Sequence, residues 1–136
     1  MQKQPAYVVI SHGVDVVDVQ QYAKLLVPAL RGQLKMTFTA QEINECEDNE
    51  RTAERLAGRL ANKEAVLKAL GLPFGDGVGF VDIETITASN GAPSIVTHRL
   101  VAQRAAELGI EGWLLSMSHT SALAISSVIG IRKLGA

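Results

Sequence analysis

The sequence predicts an α+β fold: one domain in which a mostly antiparallel sheet packs against a long central helix. Three observations predict it. The chain has 136 residues, 47% of them apolar, enough for one compact core. Its segments read in the order β-α-α-α-β-β-α-β-β, with tight turns between late strands, which favours antiparallel pairing. One stretch, about Glu50 to Leu70, is dense in Ala, Leu, Glu, Arg and Lys, all strong helix formers.

The elements follow in order. Residues Tyr7 to Val19 are rich in β-branched side chains and read as a strand buried on both faces. Asp18 is placed to cap a helix over Val19 to Leu30 that stops at Gly32. Thr39 with Glu42 three residues on has the form of a capping box, opening a short helix to about Cys46. The long helix then runs to Leu70, with Gly71 and Pro73 as its stop. Pro73 to Gly79 holds three glycines and reads as a flexible connector. It follows a helix and opens none, so it does not fit a dinucleotide loop. Phe80 to Thr87 is expected as a strand, Asn90-Gly91 as a hairpin turn, and Ser94 to Thr97 as a short strand. Arg99 to Leu108 is expected as a helix ended by Gly109. Trp113 to Ser118 and Leu123 to Ile129 are the last two strands.

Composition narrows the function. The formal charge of −1 lacks the basic excess of a nucleic-acid binder. Cys46 is the single cysteine, so no intramolecular disulfide forms and a reducing compartment fits. The start shows no signal peptide, and no apolar run approaches the roughly 20 residues that span a bilayer. The expectation is a soluble, cytoplasmic chain with no membrane partner.

Several residues sit badly in a purely structural account. On the long helix Ala53, Leu56, Leu60, Val66, Leu67 and Leu70 share a broad face at about 100° per residue. Lys63 falls inside that face and Glu64 at its edge, beside Ala53 and Ala57. A buried carboxylate costs several kcal/mol unless it is paired or metal-bound. The plain alternative is a surface Glu64–Lys68 pair at i, i+4. Asp15 interrupts a run of valines and, by strand alternation, shares the face of Val9 and Val17. Its plain alternative is a strand that ends early, with Asp15 in a turn. His119 closes an apolar strand among Ser116, Ser118, Thr120 and Ser121. It reads as a structural histidine or as part of a polar pocket. Cys46 reads as an ordinary helix residue, and neither His12 nor His98 belongs to a constellation. Two carboxylates without a Cys/His cluster suit a hard, oxygen-preferring ion, Mg²⁺ first. Arg59, Lys63 and Lys68 offer charge against phosphate.

These residues stand in a pattern that resembles one family. Gly13-Val14-Asp15 and the following valines resemble the N-terminal strand of the holo-acyl-carrier-protein synthases, which are 4'-phosphopantetheinyl transferases. Residues Arg55 to Gly71, with Lys63-Glu64-Ala65, Lys68 and Ala69-Leu70-Gly71, resemble its signature helix. Phe38-Thr39 with Glu42, Asp82-Ile83-Glu84, Asn90-Gly91-Ala92-Pro93 and Leu115 to Thr120 follow in family order. The likeness spans roughly residues 8 to 129.

The resemblance implies a fold, a reaction and a site. The 4'-phosphopantetheine group of coenzyme A would pass to a serine of an apo acyl carrier protein, releasing adenosine 3',5'-bisphosphate. Asp15 and Glu64 would bind Mg²⁺. Lys68 and His119 would contact coenzyme A phosphates, joined in the cofactor site by Arg59 and Ser118, while Gly71 and Pro93 shape it. Glu64, Lys68 and His119 are the expected catalytic set. The serine proton would go to Glu64 itself or to a metal-bound water that it positions. Chains of this length in the family form homotrimers with shared active sites. Two departures stand out. Asn62 occupies a position where the family usually has Ala. Gln21 stands where an Arg often meets the carrier, with Lys24, Arg31 and Lys35 as substitutes. A non-catalytic carrier-binding module of the same fold, and an unrelated phosphate-binding protein, are the competing readings. Fatty-acid and polyketide service remain open alternatives.

Overall fold

A computed structural model describes residues 6–24, 31–47 and 50–135. Strand β1 (Tyr7–Asp18) leads into a short helix α1 (Val19–Ala23), capped by Asp18, whose Oδ1 accepts from the Gln21 amide at 3.1 Å. The remainder of the helix expected up to Leu30 lies mostly outside the described residues. Gly32, expected as its stop, instead sits in the first turn of α2 (Arg31–Thr37). Helix α3 (Ala40–Cys46) opens on the expected capping box. The Thr39 hydroxyl accepts from the Glu42 amide, and Glu42 Oε1 accepts from the Thr39 amide.

Helix α4 (Thr52–Leu70) is the axis of the molecule. It ends as expected at Gly71, whose φ of 66° is the left-handed conformation glycine adopts freely. Strands β2 (Ile83–Thr87) and β3 (Pro93–Thr97) form a two-stranded antiparallel hairpin. Helix α5 (Arg99–Glu107) then precedes β4 (Gly112–His119) and β5 (Leu123–Lys133). The larger sheet has the order β1-β5-β4, antiparallel throughout. The α+β architecture is therefore as predicted.

Three local readings are corrected. Phe80 to Asp82 form a 3₁₀ turn before β2 begins, because Asp82 turns back on Gly79: its amide donates to the Gly79 carbonyl and its carboxylate accepts from the Gly79 amide. The second correction concerns β1, which buries one face instead of two, leaving Val9, Val14 and Val16 more than half exposed. A register shift between Val9 and Ser11 also moves Val9 off the face of Asp15, which it was expected to share.

The third concerns α4, which is buried nearly all round and not along one face. Ala57, Ala61 and Ala65 have no exposed surface on a helix that the larger sheet crosses closely. Gly13 permits the approach. A Cβ there would overlap the Ala65 carbonyl oxygen and come within 2.9 Å of the Ala69 amide nitrogen. Aliphatic residues fill one core with β5 and α5, where Val66, Leu70, Ile83, Val101 and Val128 pack together. A second gathers Val19, Tyr22, Phe38, Cys46 and Leu56 under the short helices. Cys46 is thus an ordinary core residue, and burial pushes its thiol pKa up.

Lys63 has no exposed surface, yet it is fully paired. Its Nζ donates to Glu42 Oε1 at 2.7 Å, to the Phe80 carbonyl at 2.8 Å, and to the Ile83 carbonyl. Glu42, equally buried, also accepts from the Thr85 amide. Burial pulls the Lys63 ammonium below its ordinary pKa, and Glu42 opposes that pull. Among the described residues no helix is long and apolar enough to cross a membrane.

Candidate active site

The close crossing of β1 over α4 determines where Asp15 goes. Two residues beyond Gly13, on the same inward face, its side chain is carried down onto α4 at Glu64 and Lys68. Asp15 lies within the strand, opposite Ser126 of β5, so it is not a turn residue. Lys68 Nζ donates to Asp15 Oδ1 at 2.7 Å and to the Val14 carbonyl at 3.2 Å. The expected i, i+4 pairing is thus redirected: Lys68 bonds across to the strand and acts on Glu64 through charge alone.

Asp15 and Glu64 face each other. The Glu64 carboxyl is pushed up from 4.5 to about 7, chiefly by burial, then by its hydrogen bond to Asp15 and the charge of that neighbour; Lys68 pulls the other way. Two carboxyl groups can share a hydrogen bond only while one holds a proton. With both ionised, Asp15 Oδ2 is buried and has no donor. One lysine offsets two negative charges incompletely. A buried carboxylate oxygen without a donor, opposite a second carboxylate, suits a hard divalent cation. Among the described residues no three His, Cys, Asp or Glu side chains gather into a complete metal cage. The pair would leave most of an ion's coordination sphere for water and ligand oxygens.

Further toward the N-terminus of α4 lies a cavity of about 560 Å³. Arg55, Arg59, Thr87, Pro93, Met117 and His119 line it, so three expected site residues meet here. Arg59 is nearly buried. It donates to the Thr85 carbonyl at 3.1 Å, to Thr87 Oγ1 at 3.0 Å and to Glu45 Oε2 at 3.0 Å. Pro93 starts β3 just after the turn at Gly91, which has φ 86°. His119 ends β4 and pairs its Nδ1 with Glu54 Oε2 at 3.1 Å. From Arg59 to Glu64 is five residues of one helix, roughly 7–8 Å along its axis.

Two expected residues lie elsewhere. Ser118 alternates with His119 along β4, so its side chain points to the opposite, exposed sheet face. Gly71 closes α4 beyond Lys68, its amide on the Lys68 carbonyl, and does not line the cavity of Arg59 and His119.

Three further residues organise the site, and of these only Asn62 stood out in the sequence. Glu54 holds His119, Thr85 holds Arg59, and the wholly buried Asn62 donates to Thr85 Oγ1 at 3.1 Å and to Met117 Sδ at 3.4 Å. Glu54 and His119 stand 65 residues apart, and no local pattern links them. Asn62 did carry a signal, a polar residue inside an apolar stretch.

Comparison with known proteins bears on the family and the fold. The family model of the 4'-phosphopantetheinyl transferase superfamily matches residues 11–125. The chain is 40% identical over 123 residues to the holo-[acyl-carrier-protein] synthase of Frankia casuarinae, covering 89% of this chain and 96% of that one. Two solved structures are each 27% identical. One is the Helicobacter pylori holo-[acyl-carrier-protein] synthase in complex with coenzyme A, with a TM-score of 0.75 over 88% of this chain and 98% of that one. The other, a holo-(acyl-carrier-protein) synthase from Bacillus anthracis in complex with CoA (3',5'-ADP), has a TM-score of 0.73 over 93% and 99%.

Proposed function

This chain belongs to the 4'-phosphopantetheinyl transferase superfamily, and from that premise we propose that it is a holo-acyl-carrier-protein synthase. It moves 4'-phosphopantetheine from coenzyme A to a serine of an apo acyl carrier protein. The observation that carries this reading is the facing pair Asp15 and Glu64, with a donorless buried oxygen and Lys68 alongside.

In the reaction, the serine oxygen forms a bond to the phosphorus bearing the pantetheine arm. The bond from that phosphorus to the bridging diphosphate oxygen breaks, and adenosine 3',5'-bisphosphate leaves. Asp15 and Glu64 would hold Mg²⁺, which when bound offsets negative charge developing on the diphosphate. Lys68 places a fixed positive charge beside them. Arg59 and His119 supply donors to the nucleotide end, and Pro93 shapes that wall. Glu64 takes the serine proton, directly or through a water that it positions. Ser118 and Gly71 stand outside this cavity in the single chain.

Ser118 fits the site through assembly. The outer face of the larger sheet shows Val14, Val16, Leu114 and Ile125, each close to half exposed or more. An apolar patch of that kind marks a contact surface. We assign it to a homotrimer, in which Ser118 of one copy lies at the edge of a neighbour's site. A Val16→Asp variant should sediment as a smaller species, and an unchanged mass would reject this face as the contact. Lys24 and Lys35, both exposed, attract the acidic carrier in place of the arginine that Gln21 replaces; the Arg31 side chain lies outside the described residues. The single buried cysteine is consistent with work in the cytoplasm.

The test is direct. Incubated with coenzyme A, Mg²⁺ and an apo carrier, the protein should add the phosphopantetheine mass to the carrier, and chelation should stop it. An unmodified carrier across several carriers supports a binding module instead.

A further inference from the structure

His119 reaches the cavity with only one of its ring nitrogens. Its Nδ1 is taken up by Glu54 Oε2 at 3.1 Å. A carboxylate only accepts hydrogen bonds. Glu54 stands in the first turn of α4, where the helix dipole favours the anion. The hydrogen of the pair therefore sits on Nδ1, whether the ring is neutral or charged, and Nε2 is left for whatever the cavity holds. The backbone beneath the ring is fixed as well. His119 is the last ladder residue of β4, opposite the buried Ala124, and the Thr120 amide closes the hairpin on the Leu123 carbonyl at 2.8 Å.

We propose that Glu54 is a positioning residue for His119: it orients the imidazole and fixes its tautomer so that Nε2 meets the ligand in the Arg59 cavity. This rests on the reading that coenzyme A occupies that cavity. Arg55 and Arg59 line it too, so an anionic phosphate suits it, and Nε2 donates to that phosphate when the ring is charged and carries a hydrogen on each nitrogen. A competing role confines Glu54 to stabilising the N-terminus of α4. That role would act regardless of residue 119.

A double-mutant cycle separates the two. Glu54→Ala should raise KM for coenzyme A about tenfold and leave kcat within roughly twofold, as loss of an oriented charge-assisted contact does. His119→Ala should do at least as much, and adding Glu54→Ala to it should change nothing further. Glu54→Gln, whose carbonyl still accepts from Nδ1, should keep most of the affinity. A Glu54→Ala effect that persists in full without His119, or a Glu54→Gln effect equal to that of Glu54→Ala, would overturn the proposal. A second readout needs no turnover. ¹⁵N NMR of the protein alone should show the His119 hydrogen on Nδ1, and lose that signature in Glu54→Ala. A ring protonated only at Nε2 in the unmodified chain would overturn the proposal even if transfer is observed. Absent transfer with the Nδ1 signature intact would instead count against the functional reading.

Discussion

Lys63 and Glu64 are neighbours on α4, and their surroundings differ in kind. Lys63 is wholly buried and has three acceptors: the Glu42 carboxylate and the carbonyls of Phe80 and Ile83. Its partner Glu42 is equally enclosed and also accepts two backbone amides, from Thr39 and Thr85. That cluster is closed. It joins α3, α4 and β2, and neither side chain has exposed surface. One residue on, about 100° around the helix, Glu64 faces a second carboxylate, and an Asp15 oxygen lacks a donor. That cluster is open. Charges satisfied from within hold the fold together. Charges left unsatisfied at a buried position await something from outside.

Substitutions should separate the two clusters. Glu64→Gln should lower kcat/KM for transfer by about a thousandfold or more while the fold survives, since the amide can donate to Asp15 Oδ2. The carrier mass assay measures the first and thermal melting the second. Ordinary turnover in that variant would erase the contrast between the clusters. Lys63→Met and Glu42→Gln should do the reverse, each lowering unfolding free energy by about 3–5 kcal/mol because a buried charge loses its partner. Urea denaturation reads this directly.

Gly13→Ala tests the contact that carries Asp15 to α4. Overpacking there should cost about 1–3 kcal/mol, and Mg²⁺ affinity should fall with it because Asp15 is displaced. Denaturation and metal titration measure the two effects. A variant of wild-type stability and affinity would show that the approach is slack.

A subtler difference is one of pH. Glu64 titrates near 7 in the folded chain and near 4.5 when unfolded. The folded state therefore binds more protons between those values, and stability must fall as pH rises through that window. The contribution is fully present below about 4.5 and gone above about 7. Melting temperatures of the wild type and Glu64→Gln should diverge across that range. Millimolar Mg²⁺ near pH 8 should restore the wild type alone.

Much of the fold was legible. The long helix declared itself through its composition and its Gly71 stop, and Thr39 with Glu42 formed the capping box their spacing announces. The first strand misled because a run of valines reads the same whether both of its faces are covered or one stays exposed. Gly32 misled because glycine marks a helix stop only when the chain turns left-handed there. In the site, Asp15 and Glu64 were visible as carboxylates in apolar surroundings. Their meeting was foreseen by resemblance to a family, since nothing local joins residues 49 positions apart. Arg59, Pro93 and His119 met in a cavity, whereas the alternation of β4 carried Ser118 away.

The order of residues was enough to say which segments are helix and strand, and which charged residues burial would trouble, because periodicity and the cost of a buried charge are local properties. How each charge is answered was settled in three dimensions. Lys63 is closed by Glu42, and Lys68 turns to Asp15. Glu54 takes Nδ1 of His119, and one carboxylate oxygen is left without a donor. Those pairings depend on how closely β1 crosses α4 and where β4 ends, distances measured through space between residues far apart along the chain.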